Sequence, residues 1–522
     1  MNNHLFKSGD AMRANEPKAA LRRHHKPLLV WLGAAGICAT AAALVPINST
    51  SRAQATAETQ GMVCTYGDTV TTPGHRVFNL TAIDGYTSEP DGNAIYNWGY
   101  AYTGPGATGA FQLPGPVLCA NQGDVIDVNL TNTLPVATSI QFPGQNNVTS
   151  NGTPVGPVPD PDGSGNLRSL VPEAAAGATV SYSFTAGQAG TYLYESGSDP
   201  QLQVQMGLFG AVVVRPVGVT ITVEDLLAIP ADGPTGVTSN GERGMTSADA
   251  MKVLPHAACA YASPTVPGKC DPLSIYDSGR ENILMLSEVD PGLHNFMEQH
   301  KGTPSMLTWN GYPGAYEAHY FMINGRSMPD TIAPNNAPWL PSQPYGALAT
   351  VQPWDAKVNP LDAMLRYVGV GITGYDFHPH SNHEHVIAED GALMKGAVSG
   401  NDNTEEKFNI MVAPGSTVDA TFRWTNEEGY SNTDGHRLPV TWPNGLNLTE
   451  GDFWSGSPYL GESGQLNPGI LGKTQCGEYY HVAHSHDLTQ ATNYGITFGG
   501  MLTLIKVEPP ANVQGTLTPV CG

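Results

Sequence analysis

The run Gly115-Pro116-Val117-Leu118-Cys119-Ala120-Asn121-Gln122-Gly123-Asp124-Val125-Ile126-Asp127-Val128-Asn129-Leu130-Thr131-Asn132 sets an apolar stretch before a Gly-Asp turn and strict alternation after it. Side chains on an extended chain point to opposite faces with period two, so the second part reads as a strand buried on one side. The same style continues downstream: residues 179–184 alternate, 189–194 follow, and 207–214 end a unit before Pro216. Strands at this spacing, broken by Gly and Pro, predict a Greek-key β-sandwich. A second unit repeats the style over residues 281–287, 320–324, 364–370, 385–387, 408–412, 417–424 and 501–507. The expectation is all-β, with two sandwich domains at 56–217 and 279–522. Residues 218–278 form a linker that includes one short helix around 247–253, and 429–469 form a long turn-rich loop insertion.

Bulk properties agree. Of 522 residues only 13% are charged, while Gly (60) and Pro (42) are abundant, which suits short strands and turns better than long surface helices. The net charge of −22 is spread along the chain and opposes binding to phosphate backbones, so no nucleic-acid partner is expected.

The N-terminus reads as an export signal. Arg22, Arg23 and Lys26 precede an apolar run over 28–45, and Ala53-Gln54-Ala55 offers a small-residue cleavage site, making 1–55 a signal peptide. The run is nearly long enough to span a membrane, so an uncleaved anchor is the alternative. Arg22-Arg23 leaves both general secretion and twin-arginine export open. The destination is periplasmic, cell-surface or extracellular. Beyond the leader stand Cys64, Cys119, Cys259, Cys270, Cys476 and Cys521, an even number that reads as disulfides in an exported chain. Pairing of neighbours, Cys64–Cys119, Cys259–Cys270 and Cys476–Cys521, is the simplest of the 15 arrangements that six cysteines permit.

Histidines supply the chemistry. Those at 75, 256, 294, 300, 319 and 436 have no partner at ligand spacing. The others beyond the leader fall into two short segments, His378-Pro379-His380-Ser381-Asn382-His383-Glu384-His385 and His481-Val482-Ala483-His484-Ser485-His486. On a strand, His-x-His directs both rings to one face, and imidazole is the commonest ligand for copper and zinc. Two such pairs in one domain point to a metal site; a solvent-facing His-rich loop is the plainer alternative.

In order along the chain, the 115–132 segment, 189–194, Gly207-Leu208-Phe209-Gly210, His378/His380, and His484-Ser485-His486 followed by Gly499-Gly500-Met501 resemble the multicopper oxidases, most of all the two-domain laccase type. The resemblance implies two cupredoxin-like domains, copper as the cofactor and His378, His380, His484 and His486 as ligands. It also shows departures. The first family motif, His-Trp-His-Gly, is here Gln141-Phe142-Pro143-Gly144, and the second, His-Ser-His, is Glu195-Ser196-Gly197. Where the family places the three strong ligands of its blue, type 1 copper stand Tyr375, Ser485 and Gln490. A serine hydroxyl cannot supply the thiolate on which that centre depends. The expectation is a reduced, histidine-only copper site, with Glu195, His383 and His481 as outer partners or an extra ligand; no catalytic residue is assigned. Four imidazoles suit zinc as well. The function expected is a copper-binding oxidoreductase taking electrons from a small molecule, a metal ion or a redox partner protein. The alternative is a non-catalytic copper-binding or structural protein. Two-domain relatives form homotrimers, so the resemblance also implies a trimer.

Overall fold

In the computed structural model the described residues are 61–69, 74–231, 239–303, 306, 308–309, 314–398, 401–425, 479–497 and 499–508, with two-residue strands at 441–442, 446–447, 454–455 and 464–465. The leader, His436, Cys476 and Cys521 lie outside them.

Seven main strands build the first half: β1 (His75–Ser88), β2 (Ala94–Tyr102), β3 (Val117–Asn121), β4 (Val125–Asn132), β5 (Thr179–Thr185), β6 (Gly190–Glu195) and β7 (Phe209–Arg215). One sheet runs β2-β1-β4-β5, with β1 parallel to β4 and the other pairs antiparallel. The facing sheet runs β3-β7-β6, with β7 parallel to β3. In β4 the alternation read from sequence becomes alternate burial, Ile126, Val128 and Leu130 inward. They meet Phe78, Trp98, Tyr182 and Tyr194 in one core. The β1–β2 hairpin is not among the strands that the sequence predicts. Gly99 in β2 lies so close to the Gln112 carbonyl that a Cβ there would come within 2.3 Å of it, so this position admits no side chain.

The connecting segment carries two capped helices, α1 (Val223–Leu227) and α2 (Ser247–Val253), the second where the sequence predicts one. Thr222 with Asp225 and Thr246 with Asp249 make reciprocal capping boxes that satisfy the first free amides. Leu226, Ile229, Met245, Ala250 and Val253 form a small core of their own with Cys270. The disulfides Cys64–Cys119 and Cys259–Cys270 are both formed as expected.

The second half contains β8 (Ile275–Val289), α3 (Pro291–Gln299), β9 (Tyr320–Ile323), β10 (Asp362–Gly369), β11 (Tyr375–Pro379), β12 (Glu384–Glu389), β13 (Ile410–Val412), β14 (Thr417–Phe422), β15 (Tyr479–Ser485) and β16 (Leu502–Val507). One sheet runs β8-β10-β14-β12 with β9 on β8; the other runs β16-β15-β11-β13. Helix α3 is absent from the sequence expectation; Asp290 caps it by accepting from the Gly292 and Leu293 amides. Among the described residues no helix is long and apolar enough to cross a membrane. Within the second half, buried Arg366 on β10 binds Asp419 of β14 at 2.7 Å and Glu281 of β8 at 2.7 Å. Glu281 also meets Arg215 of β7 at 2.5 Å.

Candidate metal centre

The site is made by two antiparallel neighbours, β11 and β15, in register so that His378 faces His484 and Phe377 faces Ser485. Period two sorts the side chains. Phe377, Ala483 and Ser485 are buried, whereas His378 and His484 are partly exposed and His380 and His486 exposed on the other side. The sequence therefore turns four imidazoles to one face because the residues between them belong to the core.

The rings gather closely. Centroids of His378 lie 4.7 Å from His380, 5.6 Å from His484 and 5.0 Å from His486. His380 and His484 centroids are 5.3 Å apart, and their Nε2 atoms 3.2 Å. Nδ1 of His484 stands 2.7 Å from the Ser485 carbonyl, which fixes it as the N–H donor and leaves Nε2 with a lone pair. Nδ1 of His378 is held in the same way by the Phe408 carbonyl, aiming its Nε2 away. Burial, and then the neighbouring His378, pull the His380 imidazole down to about 4, and burial lowers His484 as well. Both shifts favour the neutral ring, the form that binds metal.

Among the described residues no three His, Cys, Asp or Glu side chains are already set around one point as ligands of an ion. The donor set nonetheless fits copper by its chemistry: four imidazoles on one face, two with Nδ1 fixed by carbonyls and two with facing Nε2 atoms.

The outer residues divide. His481 points to the other side of β15, buried, and its Nε2 accepts from Trp424 Nε1 at 3.0 Å. Burial brings it to about 4, with His380 adding a smaller effect. His383 stacks near Phe408, 5.9 Å between centroids, and Phe408 in turn meets the His378 ring edge-on at 5.8 Å. Glu195 is held by Gln141, whose Nε2 donates to Oε1 at 2.8 Å while their backbones bridge. Its carboxyl is raised by burial, and no hydrogen bond joins it to the four rings among the described residues. The sequence predicts a strand at 408–412; the strand starts at Ile410, and Phe408 is exposed with its carbonyl turned to His378. Backbone carbonyls leave no mark on sequence, so this partner has no signal there.

The three positions at which the resemblance expects blue-copper ligands make contacts of their own. Ser485, fully buried, donates to Gln490 Oε1 at 2.7 Å, and Gln490 Nε2 donates to the Gly374 carbonyl at 3.1 Å. Tyr375, also fully buried, directs its hydroxyl to Glu288. Glu288 is further satisfied by Gln205 and the Ile372 amide, each at 2.8 Å.

Among curated proteins none matches this sequence. Among solved structures, the chain is similar to a multicopper oxidase named mgLAC, with 17% identity, a TM-score of 0.45, and 83% of this chain and 86% of that chain covered. Against a blue copper oxidase from Nitrosomonas europaea the figures are 18%, 0.44, 83% and 85%. For the laccase from Botrytis aclada they are 16%, 0.43, 85% and 55%. A family model described as multicopper oxidase, a family whose metal is copper, matches residues 105–218, the stretch that contains β3 to β7. Residues 105–218 thus match the multicopper oxidase model, and the described residues around them are mostly β.

Proposed function

We propose that the protein is an exported copper-binding oxidoreductase whose metal is held by His378, His380, His484 and His486 without a type 1 centre. The observation that carries this reading is the meeting of two His-x-His pairs from β11 and β15, with His380 and His484 Nε2 3.2 Å apart. When bound, copper supplies one-electron exchange with an external donor.

The chain's own groups do the rest. The Phe408 and Ser485 carbonyls orient two rings, so less conformational freedom is lost on binding. Trp424 locks His481 behind the strand, which keeps β15 in register beneath the ligands. Ser485 and Gln490 satisfy each other, a pairing that supports the reading that no ligand is offered from that side. The exposure of His380 and His486 favours access by a small molecule, a metal ion or a docked redox protein. The same open face suits a homotrimer in which a neighbouring subunit covers the site. The leader at 1–55 supports export.

Metal analysis with electron paramagnetic resonance on protein purified without added metal tests the reading. A nitrogen-rich, type 2 copper signal is expected, together with turnover of a phenolic or ferrous donor. Full copper loading with no turnover by any donor would leave a copper-binding protein that is not an enzyme, and stoichiometric zinc would replace the metal.

A further inference from the structure

Away from the histidines, two adjoining cavities of about 370 and 420 Å³ share Arg168 and Asp199 in their walls. Each has the size usual for a small-molecule site. Glu173 lines the first and Trp309 the second.

The polar groups there are incompletely used. Arg168 donates to one Glu173 oxygen, Oε2, from Nε at 2.7 Å and from Nη2 at 2.5 Å. The other oxygen, Oε1, is buried with no hydrogen-bond partner, on a side chain only 4% exposed. Trp309 Nε1 is likewise a buried N–H without an acceptor, on an indole that packs against Phe296 at 5.4 Å. Between them stands Asp199, with left-handed backbone at φ 37° and ψ 57°, a conformation costly for a residue with a side chain. Its carboxylate does not cap the turn that follows and has no hydrogen-bond partner among the described residues. Strain and unmet hydrogen bonds together are features that binding sites retain.

The unmet groups are of opposite kinds, and this selects the ligand. A cation would suit Glu173 and Asp199 but leave the indole N–H without an acceptor. An anion would suit the indole but meet the carboxylates of Asp160, Glu173 and Asp199, while Arg168 is already engaged. Hydroxyl groups both donate and accept, and a sugar ring also offers a C–H face to Trp309 and Leu202. We propose that this double cavity binds a neutral carbohydrate of one or two sugar units, independently of the copper site. Glu173 and Trp309 both line the cavities, and Oε1 and Nε1 each lack the partner that a ligand hydroxyl would supply.

The test is calorimetric titration of the full chain with cellobiose, maltose, xylobiose and diacetylchitobiose, with Asp199→Asn and Trp309→Phe variants alongside. Asn tolerates left-handed backbone and Phe keeps the ring, so both variants should fold, with melting and copper binding unchanged. At least one disaccharide should saturate a single site, and each substitution should weaken it about tenfold, the loss of one hydrogen bond in a desolvated site. Saturation by none of the four overturns the proposal. So does disaccharide binding indifferent to both substitutions, or a site that takes calcium or catechol instead and loses it in Asp199→Asn.

Discussion

His380 and His484 meet diagonally across an antiparallel strand pair with their Nε2 atoms 3.2 Å apart, while the Ser485 carbonyl holds the far nitrogen of His484. Neither ring is part of a hydrophobic core cluster. Substituting both by Ala should abolish stoichiometric copper binding yet change unfolding free energy by less than about 1 kcal/mol, as for surface positions. Equilibrium dialysis with copper and a urea melt on the same preparation check both halves. Retained binding would show that the ligands lie elsewhere.

The Ser485–Gln490 hydrogen bond is buried, and the four cysteines among the described residues are all paired in disulfides. Copper held by imidazole lacks the thiolate charge transfer that makes type 1 centres intensely blue. The copper-loaded protein should be pale in the visible range. An intense blue band would mean that a cysteine outside the described residues is a ligand.

How much of the fold and the site is legible in the sequence depends on the type of interaction. Strands with alternating burial, such as β4 and β5, follow from period two, and the His-x-His spacing puts the two rings of each pair on one side of its strand, after which the β11–β15 pairing sets the two pairs side by side. Helix α3 escapes a strand-rich reading although Asp290-Pro291 is a helix-start signal, because a single nine-residue helix between long strands competes with its context. The β1–β2 hairpin escapes it too, although Phe78, Leu80 and Ala82 alternate inward and Pro90-Asp91-Gly92 marks its turn. The Arg366–Asp419 pair and the Phe408 carbonyl have no sequence signal at all. Such contacts join residues that only the tertiary fold brings together.

Two cross-links differ in the length of chain that they close, 55 residues for Cys64–Cys119 and 11 for Cys259–Cys270. In the chain-entropy account the first should stabilise by about 4 kcal/mol and the second by about 3 kcal/mol. Replacing each pair by Ala should lower stability in that order in a denaturant melt. In the intact protein, denatured without reductant, peptides bearing these four cysteines should take up no alkylating label. Labelling of Cys64 or Cys119 would contradict the bridge.

Glu281 bridges Arg366 and Arg215 from inside the fold, at 2.7 and 2.5 Å. Burial alone would raise its carboxyl, but the Arg366 and then the Arg215 charges outweigh that and pull it down to about 2. Because the folded value lies below the unfolded one of about 4.5, the charge contributes stability at every pH above the unfolded value. That contribution is lost as pH falls from about 4.5 to about 2. A difference of roughly 2.5 units corresponds to about 3 kcal/mol. Glu281→Gln removes the anion and leaves the buried Arg366 and half-buried Arg215 guanidinium groups with Asp419 as the remaining carboxylate partner of Arg366. Breaking a buried pair in this way costs about 3–5 kcal/mol. The variant should therefore be much less stable than the parent at pH 7 in a urea melt, and the gap should narrow by pH 3 because below about 4.5 the parent's Glu281 takes up a proton in the unfolded chain and not yet in the folded one. An unchanged gap between pH 7 and pH 3 would show that Glu281 does not carry the acid sensitivity of this fold.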